Sequence, residues 1–386
     1  MTLTSFSFAT VQDIRLEWGG AAGLGTLLAE RFSARNLLLI TDRGLIAAGV
    51  IAPIQSTLIG AGFSVTLYDE VVADPPEAVV RGCTEMARAE GVDIVLGLGG
   101  GSSLDIAKLV AVMIGSDQDL SEMYGIGNVA GGRVPLALVP TTAGTGSEVT
   151  NISIITTGET TKMGVVSRQL YADFVLLDAE LTIGLPQLHT AATGIDAMVH
   201  AIEAYTSKFR KNPISDALAR EALRLLSGSL LDACKDGGNR ESRENMLLGA
   251  MLAGQAFANA PVAAVHALAY PLGGHFHLPH GLSNALMLGP VLRMNAKVAA
   301  PLYAELADAV SVPGYASVEE RSGAFVTHML KLMDESGAPR RLRDVEVTDN
   351  SLAILASEAM KQQRLLVNNP VEVTEDVALE LYREAY

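Results

Sequence analysis

Residues 97–108 read GLGGGSSLDIAK and complete an apolar run, DIVLGL, at 93–98. An apolar strand, three successive glycines and a helical pattern describe a strand-to-helix turn of an α/β sheet. Glycines let the backbone approach a ligand closely, and the free N–H groups of a helix start favour an anion. Ser102 is expected to cap that helix. The dinucleotide fingerprint GxGxxG is not met, because Ser102 stands at its last glycine, and Lys108 lies too deep for a nucleotide-triphosphate loop. A packing turn and a phosphate loop both fit. Three glycines in a row exceed what a turn requires, which favours the phosphate.

The rest of the first half repeats this texture. The runs NLLLIT at 36–41, FSVTLY at 63–68, VPLALV at 134–139 and FVLL at 174–177 alternate with amphipathic stretches such as 77–90. They predict a largely parallel sheet, to which 153–155 and 163–166 can add strands. Beyond about residue 186, helix-period apolar positions recur over 191–207, 213–232, 243–258, 302–310, 318–336 and 350–361, and convincing strands cease. Residues 1–185 are therefore expected to form an α/β domain and 186–386 an all-α domain. A chain of 386 residues, 49% of them hydrophobic, has material for two cores.

Charge narrows the partners. With 28 Lys and Arg against 43 Asp and Glu, the net charge of -15 argues against nucleic acid and anionic membrane surfaces. Two distant cysteines, Cys83 and Cys234, make no disulfide framework, and the first residues lack a signal-peptide pattern. A cytoplasmic protein is expected.

A second loop, PTTAGTGSE at 140–148, follows the run at 134–139 and offers hydroxyls and glycines at a strand's carboxyl end. Five of the seven histidines fall between residues 200 and 280. Asp196 and His200 lie four apart in a helical segment and share a face. His266 and His280 flank a stretch in which Pro271, Gly273, Gly274 and Pro279 are expected to prevent one continuous helix. Three imidazoles and a carboxylate can hold a divalent transition metal, although spacing alone leaves unrelated histidines an equal alternative. His275 and His277 are extra donors nearby; His189 and His328 look ordinary.

The four segments GGGSSLDIAK, PTTAGTGSEVT, GIDAMVHAIEAY and 266–281 together resemble the iron-containing (group III) alcohol dehydrogenase family, nearest its lactaldehyde-reductase-like branch. The resemblance implies a Rossmann-like dinucleotide-binding domain over 1–185, a helical metal-binding domain over 186–386 and a cleft between them. It implies metal ligation by Asp196, His200, His266 and His280, with Fe²⁺ ahead of Zn²⁺. It assigns the pyrophosphate to Gly99, Gly100, Gly101 and Ser102, and further cofactor contacts to Thr141, Thr142, Thr145 and Lys162. Many relatives carry a histidine four residues after the third ligand; here it is Tyr270, whose phenol, with an ordinary pKa of about 10, is a poorer base near neutrality. The reaction implied is hydride transfer between a nicotinamide and a small neutral alcohol, diol or aldehyde, in a homodimer or larger homo-oligomer.

Asp42, at the end of the run 36–41, can accept from ribose hydroxyls and repel a 2′-phosphate, which favours NAD over NADP; capping a helix near Gly44 is its other reading, and Arg43 opposes the repulsion. Phe257 is a candidate pocket wall. A maleylacetate-reductase-like enzyme, a dehydroquinate-synthase-like lyase and a non-catalytic nucleotide- or metal-binding protein are the competing readings.

Overall fold

The computed structural model describes residues 5–158, 161–314 and 317–386. The chain divides into two compact units. One comprises Thr10–Thr142 and Gly146–Gly184; the other comprises Leu185–Tyr386, joined by Ala143–Thr145 and the described N-terminal residues 5–9.

The first unit is built on strands β1 (Ile14–Leu16), β2 (Asn36–Ile40), β3 (Ser64–Tyr68), β4 (Ile94–Gly99), β5 (Gly125–Ile126), β6 (Leu136–Pro140), β7 (Ile152–Thr157), β8 (Thr161–Val166) and β9 (Phe174–Leu177). Six form a parallel sheet in the order β1-β9-β6-β4-β2-β3. Every residue of β4, β6 and β9 is buried, as strands covered on both faces must be, and this is why they read as unbroken apolar runs. One face, carrying Leu37, Leu39, Ile94, Leu96, Ala137 and Phe174, packs on helices Leu24–Arg31 and Ile51–Gly60. Helix Gly101–Ile114 lies against β4 and β6 and beside helix Glu77–Ala89.

Three details differ from expectation. β1 was not foreseen: it has three residues, none of them buried, and so lacks an apolar signature. β7 and β8 do form, but they pair antiparallel with each other and join β5 in a separate three-stranded sheet. Their half-buried alternation suits a hairpin with one covered face, not a central strand. Ser102 is not the cap of helix Gly101–Ile114. Gly100 holds that place with extended backbone and without a side-chain hydrogen bond, so Ser102 falls inside the first turn.

The second unit is helical, and among the described residues no strand follows Leu177. Helices Gln187–Thr206, Pro213–Lys235 and Arg240–Asn259 pack on one another. Their starts are marked locally: Asn212 accepts from the Ser215 amide with Pro213 in the first turn, and Asn239 accepts from the Ser242 amide. Helices Ala264–Phe276 and His280–Asn295 follow. The expected interruption is real and lies beside Pro279. Pro271 and both glycines lie within the first of these helices, and the break comes at His277, whose φ is 53°, before Pro279. Pro271 removes a single backbone donor; Tyr382 Oη donates to the Leu268 carbonyl at 2.6 Å in the same turn. Among the described residues no single helix is long and apolar enough to cross a membrane.

Candidate active site

The helix Gln187–Thr206 is buried along almost its whole length, and it presents Asp196 and His200 one turn apart. His266 sits in the first turn of Ala264–Phe276, and His280 opens His280–Asn295. The latter helix comes close because Gly281 has no side chain: a Cβ there would stand 2.7 Å from the Ala192 carbonyl oxygen. Asp196, His200, His266 and His280 thereby converge, each offering a ligand atom within 4.8 Å of every other. His266 Nε2 and His280 Nε2 lie 3.9 and 3.8 Å from the same oxygen, Asp196 Oδ1.

The rings form a column. His200 stacks on Phe257 at 4.3 Å and on His266 at 4.7 Å, and His266 tilts against His280 at 5.4 Å. Tyr270 stands 6.0 Å from the His280 ring. His280 is the one member of the four with a partly exposed side chain.

The electrostatics suit a cation. Burial pushes the His200 imidazole down to about 3, so it is neutral and keeps a lone pair. Burial pushes the Asp196 carboxyl up, but His200, His280 and His266 and the Asn284 amide together hold it below its ordinary value. His200 Nδ1 and His266 Nε2 are buried without a hydrogen-bond partner, a costly state for polar nitrogens. Bonds of about 2.1 Å in a tetrahedral shell place neighbouring ligand atoms about 3.4 Å apart. The Asp196 Oδ1 separations from His266 Nε2 and His280 Nε2 are a few tenths of an ångström wider, and all four ligand atoms stay within 4.8 Å of one another. The residues fit a divalent metal.

Two residues that the sequence reading missed touch this set. Glu203, one turn beyond His200, is 2.7 Å from His266 Nδ1. Asn284 Nδ2 donates to Asp196 Oδ1 at 2.5 Å and lies 3.2 Å from His280 Nε2. Their spacing, three residues after His200 and four after His280, places each on its ligand's helix face and is the one signal available.

In the α/β unit, the glycine turn and the strand end of β6 are joined: the Thr141 amide donates to the Gly99 carbonyl at 3.0 Å, and Gly100 faces the Thr142 side chain. Gly99 has φ 156°, and a Cβ there would strike Ser103 Oγ at 2.7 Å, so the turn depends on glycine. Lys108 is fully buried and donates to Ser147 Oγ, Thr150 Oγ1, the Ile152 carbonyl and Asp105 Oδ1, tying helix Gly101–Ile114 to the second loop. Thr145 belongs with the helical unit, together with Ala143 and Gly144. Lys162, on β8, is held by Asp74 at 2.5 Å and Thr156 Oγ1 at 3.2 Å. Asp42 caps helix Arg43–Ala47, accepting from the Leu45 amide at 3.1 Å, while Arg43 turns to Glu70 at 3.6 Å.

Residues 12–179 match the model for iron-containing alcohol dehydrogenase, and residues 190–386 match that for the C-terminal part of the Fe-containing alcohol dehydrogenase family. Long-chain-alcohol dehydrogenase 1 of Geobacillus thermodenitrificans is 40% identical over 96% of this chain and 94% of its own. Lactaldehyde reductase of Escherichia coli is 33% identical over 96% of this chain and 97% of its own. Among solved structures, a 1,3-propanediol oxidoreductase superposes with a TM-score of 0.95 at 32% identity, covering 99% of this chain and 100% of that one. Sulfoacetaldehyde reductase from Bifidobacterium kashiwanohense, in complex with NAD⁺, gives a TM-score of 0.88 at 28% identity, covering 99% of both.

Proposed function

The chain belongs to the iron-containing alcohol dehydrogenase family, an oxidoreductase family of alcohols and aldehydes, and from that premise we propose its ligands, cofactor and substrate class. Asp196, His200, His266 and His280 hold one divalent metal, Fe²⁺ ahead of Zn²⁺. The observation that carries this is the convergence of four ligand atoms within 4.8 Å around imidazole nitrogens left without hydrogen bonds. NAD is held at Gly99, Gly100, Gly101 and Ser102, with Thr141, Thr142, Thr145 and Lys162 as further contacts. The substrates are small neutral alcohols, diols or their aldehydes. This assignment agrees with the propanediol and lactaldehyde activities named for relatives.

When bound, the metal supplies Lewis acidity to the substrate oxygen, and the nicotinamide accepts or returns the hydride. The chain's own part is to keep both groups placed and charged as the reaction needs. The three imidazoles of His200, His266 and His280 and the single carboxylate of Asp196 would hold a divalent ion while offsetting only one of its two charges. Asn284 keeps Asp196 Oδ1 in place. Phe257, packed flat on His200, fixes that ring and bounds the pocket with an apolar surface. Tyr270, beside His280, takes the place of the histidine found in many relatives and exchanges the hydroxyl proton through its phenol.

At the adenosine end, Asp42 sits beyond β2 with one oxygen engaged in the helix cap, and its carboxylate favours NAD over NADP. The exposed Arg43–Glu70 contact draws the guanidinium to another acid. Both cysteines are free and buried, in keeping with a cytoplasmic home, and the assembly is a homodimer or larger homo-oligomer.

The test is a panel of alcohols and aldehydes with both nicotinamides, after metal removal and reloading with Fe²⁺ or Zn²⁺. Metal-dependent NADH formation with short neutral alcohols is expected. Preference for a dicarboxylate over every neutral alcohol refutes the substrate assignment.

A further inference from the structure

Glu203 is buried and is not among the four ligands, yet both its oxygens serve the segment that carries His266. Oε2 accepts from the Ala263 amide at 2.8 Å, and Oε1 accepts from the Val265 amide at 2.7 Å. Oε2 also lies 2.7 Å from His266 Nδ1. Backbone amides are donors only, so the carboxylate meets this segment as an acceptor on both oxygens. With Glu203 as a carboxylate, the contact at 2.7 Å is made by an Nδ1–H donor of His266. A neutral imidazole with Nδ1 protonated has a bare lone pair on Nε2. Nε2 is buried without a hydrogen-bond partner, 3.9 Å from Asp196 Oδ1, so that two acceptors face each other across a gap.

We infer that Glu203 is a positioning residue: it fixes the tautomer and ring orientation of His266 so that the Nε2 lone pair points at the metal position. The inference rests on the four-ligand reading above. It gives helix Gln187–Thr206 a triple duty, since Asp196, His200 and Glu203 recur at positions i, i+4 and i+7 of one face. One helix thus brings two ligands and the group that aims a third. The competing role is mechanical. Ala263, at the start of helix Ala264–Phe276, supplies no side-chain cap, and Glu203 satisfies two amides there.

Zn²⁺ affinity separates the two roles. It is measured on the metal-depleted full chain by competition with a chromophoric chelator, in the parent, Glu203→Gln, His266→Ala and the double variant, with melting of the metal-free forms alongside. Outer carboxylates of this kind are worth about 10–100-fold in metal affinity. A loss of about that size is expected for Glu203→Gln in the parent background, and less than about threefold further loss once His266 is absent. An affinity unchanged by Glu203→Gln, or a loss of equal size in both backgrounds, leaves only the mechanical role and overturns the inference. A parent that binds no Zn²⁺ overturns the four-ligand reading itself.

Should Glu203→Gln fail to fold, ¹⁵N-histidine spectra of the metal-free parent decide, with the His266 signals identified by their loss in His266→Ala. Protonated Nδ1 and bare Nε2 are expected. An Nε2-protonated His266 overturns the inference.

Discussion

Replacing Gly281 by alanine perturbs the candidate metal site without touching a ligand. The added Cβ would lie 2.7 Å from the Ala192 carbonyl oxygen, 3.0 Å from its carbon and 3.3 Å from the Thr193 nitrogen. All three are backbone atoms of helix Gln187–Thr206, so no side-chain rotation relieves the contact. Ordinary contact begins near 3.4 Å, so the start of helix His280–Asn295 must move by about 0.7 Å. Metal–ligand distances tolerate only about 0.2 Å, and overpacking of this kind costs about 1–3 kcal/mol. His280 is the neighbouring residue and moves with the helix. The expected result is a melting temperature lowered by a few degrees, with metal affinity and alcohol oxidation reduced about 100-fold. Gly323→Ala is the control, since nothing lies within 4 Å of its Cβ in helix Val318–Ser336; it should leave metal binding unchanged and stabilise slightly. Parent-like metal affinity and rate in Gly281→Ala would refute the argument that this close approach sets the site.

Three further outcomes follow from the same structure. Asp42→Gly should lower the NAD/NADP ratio of kcat/KM and, through loss of the cap on Leu45, cost a few tenths of a kcal/mol in stability; an unmoved ratio excludes Asp42 as the discriminator. Tyr270→His should shift the pH optimum of alcohol oxidation downward, because imidazole accepts protons nearer neutrality; an unchanged pH–rate profile with activity retained assigns Tyr270 to packing. Burial pushes Glu148 up from 4.5 to about 7, with its own backbone amide and Lys108 opposing. The folded chain then holds a proton that the unfolded chain releases above 4.5, so this group's contribution to stability falls as pH rises from 4.5 to 7 and levels beyond. Glu148→Gln should remove that fall, and urea midpoints for parent and variant that run parallel across the window contradict it.

What the sequence disclosed follows from how local each feature is. β4 and β6 were legible because strands covered on both faces are apolar at every position. β1 was not, being three residues on a sheet edge with an arginine in the middle. The expected break between His266 and His280 falls beside Pro279, while a helix packed in a protein interior tolerates one missing donor at Pro271. Ser102 lost the cap to Gly100 for a similarly small reason, a two-position shift in where extended backbone gives way to helix. At the metal site, the Asp196/His200 pair was visible in its four-residue spacing. The approach of His266 and His280 was legible through resemblance, since spacing cannot show that two separate helices meet. Glu203 escaped because its partners, Ala263, Val265 and His266, come sixty or more residues later.

The central claim is that Asp196, His200, His266 and His280 together bind one catalytic metal. Metal content per chain, by elemental analysis after stripping and reloading with Fe²⁺, tests it most directly in the parent, His266→Ala and His280→Ala. The expected result is about one ion per parent chain and far less in either variant, with alcohol-dependent NADH formation following the metal. Undiminished metal content and activity in either variant would contradict it.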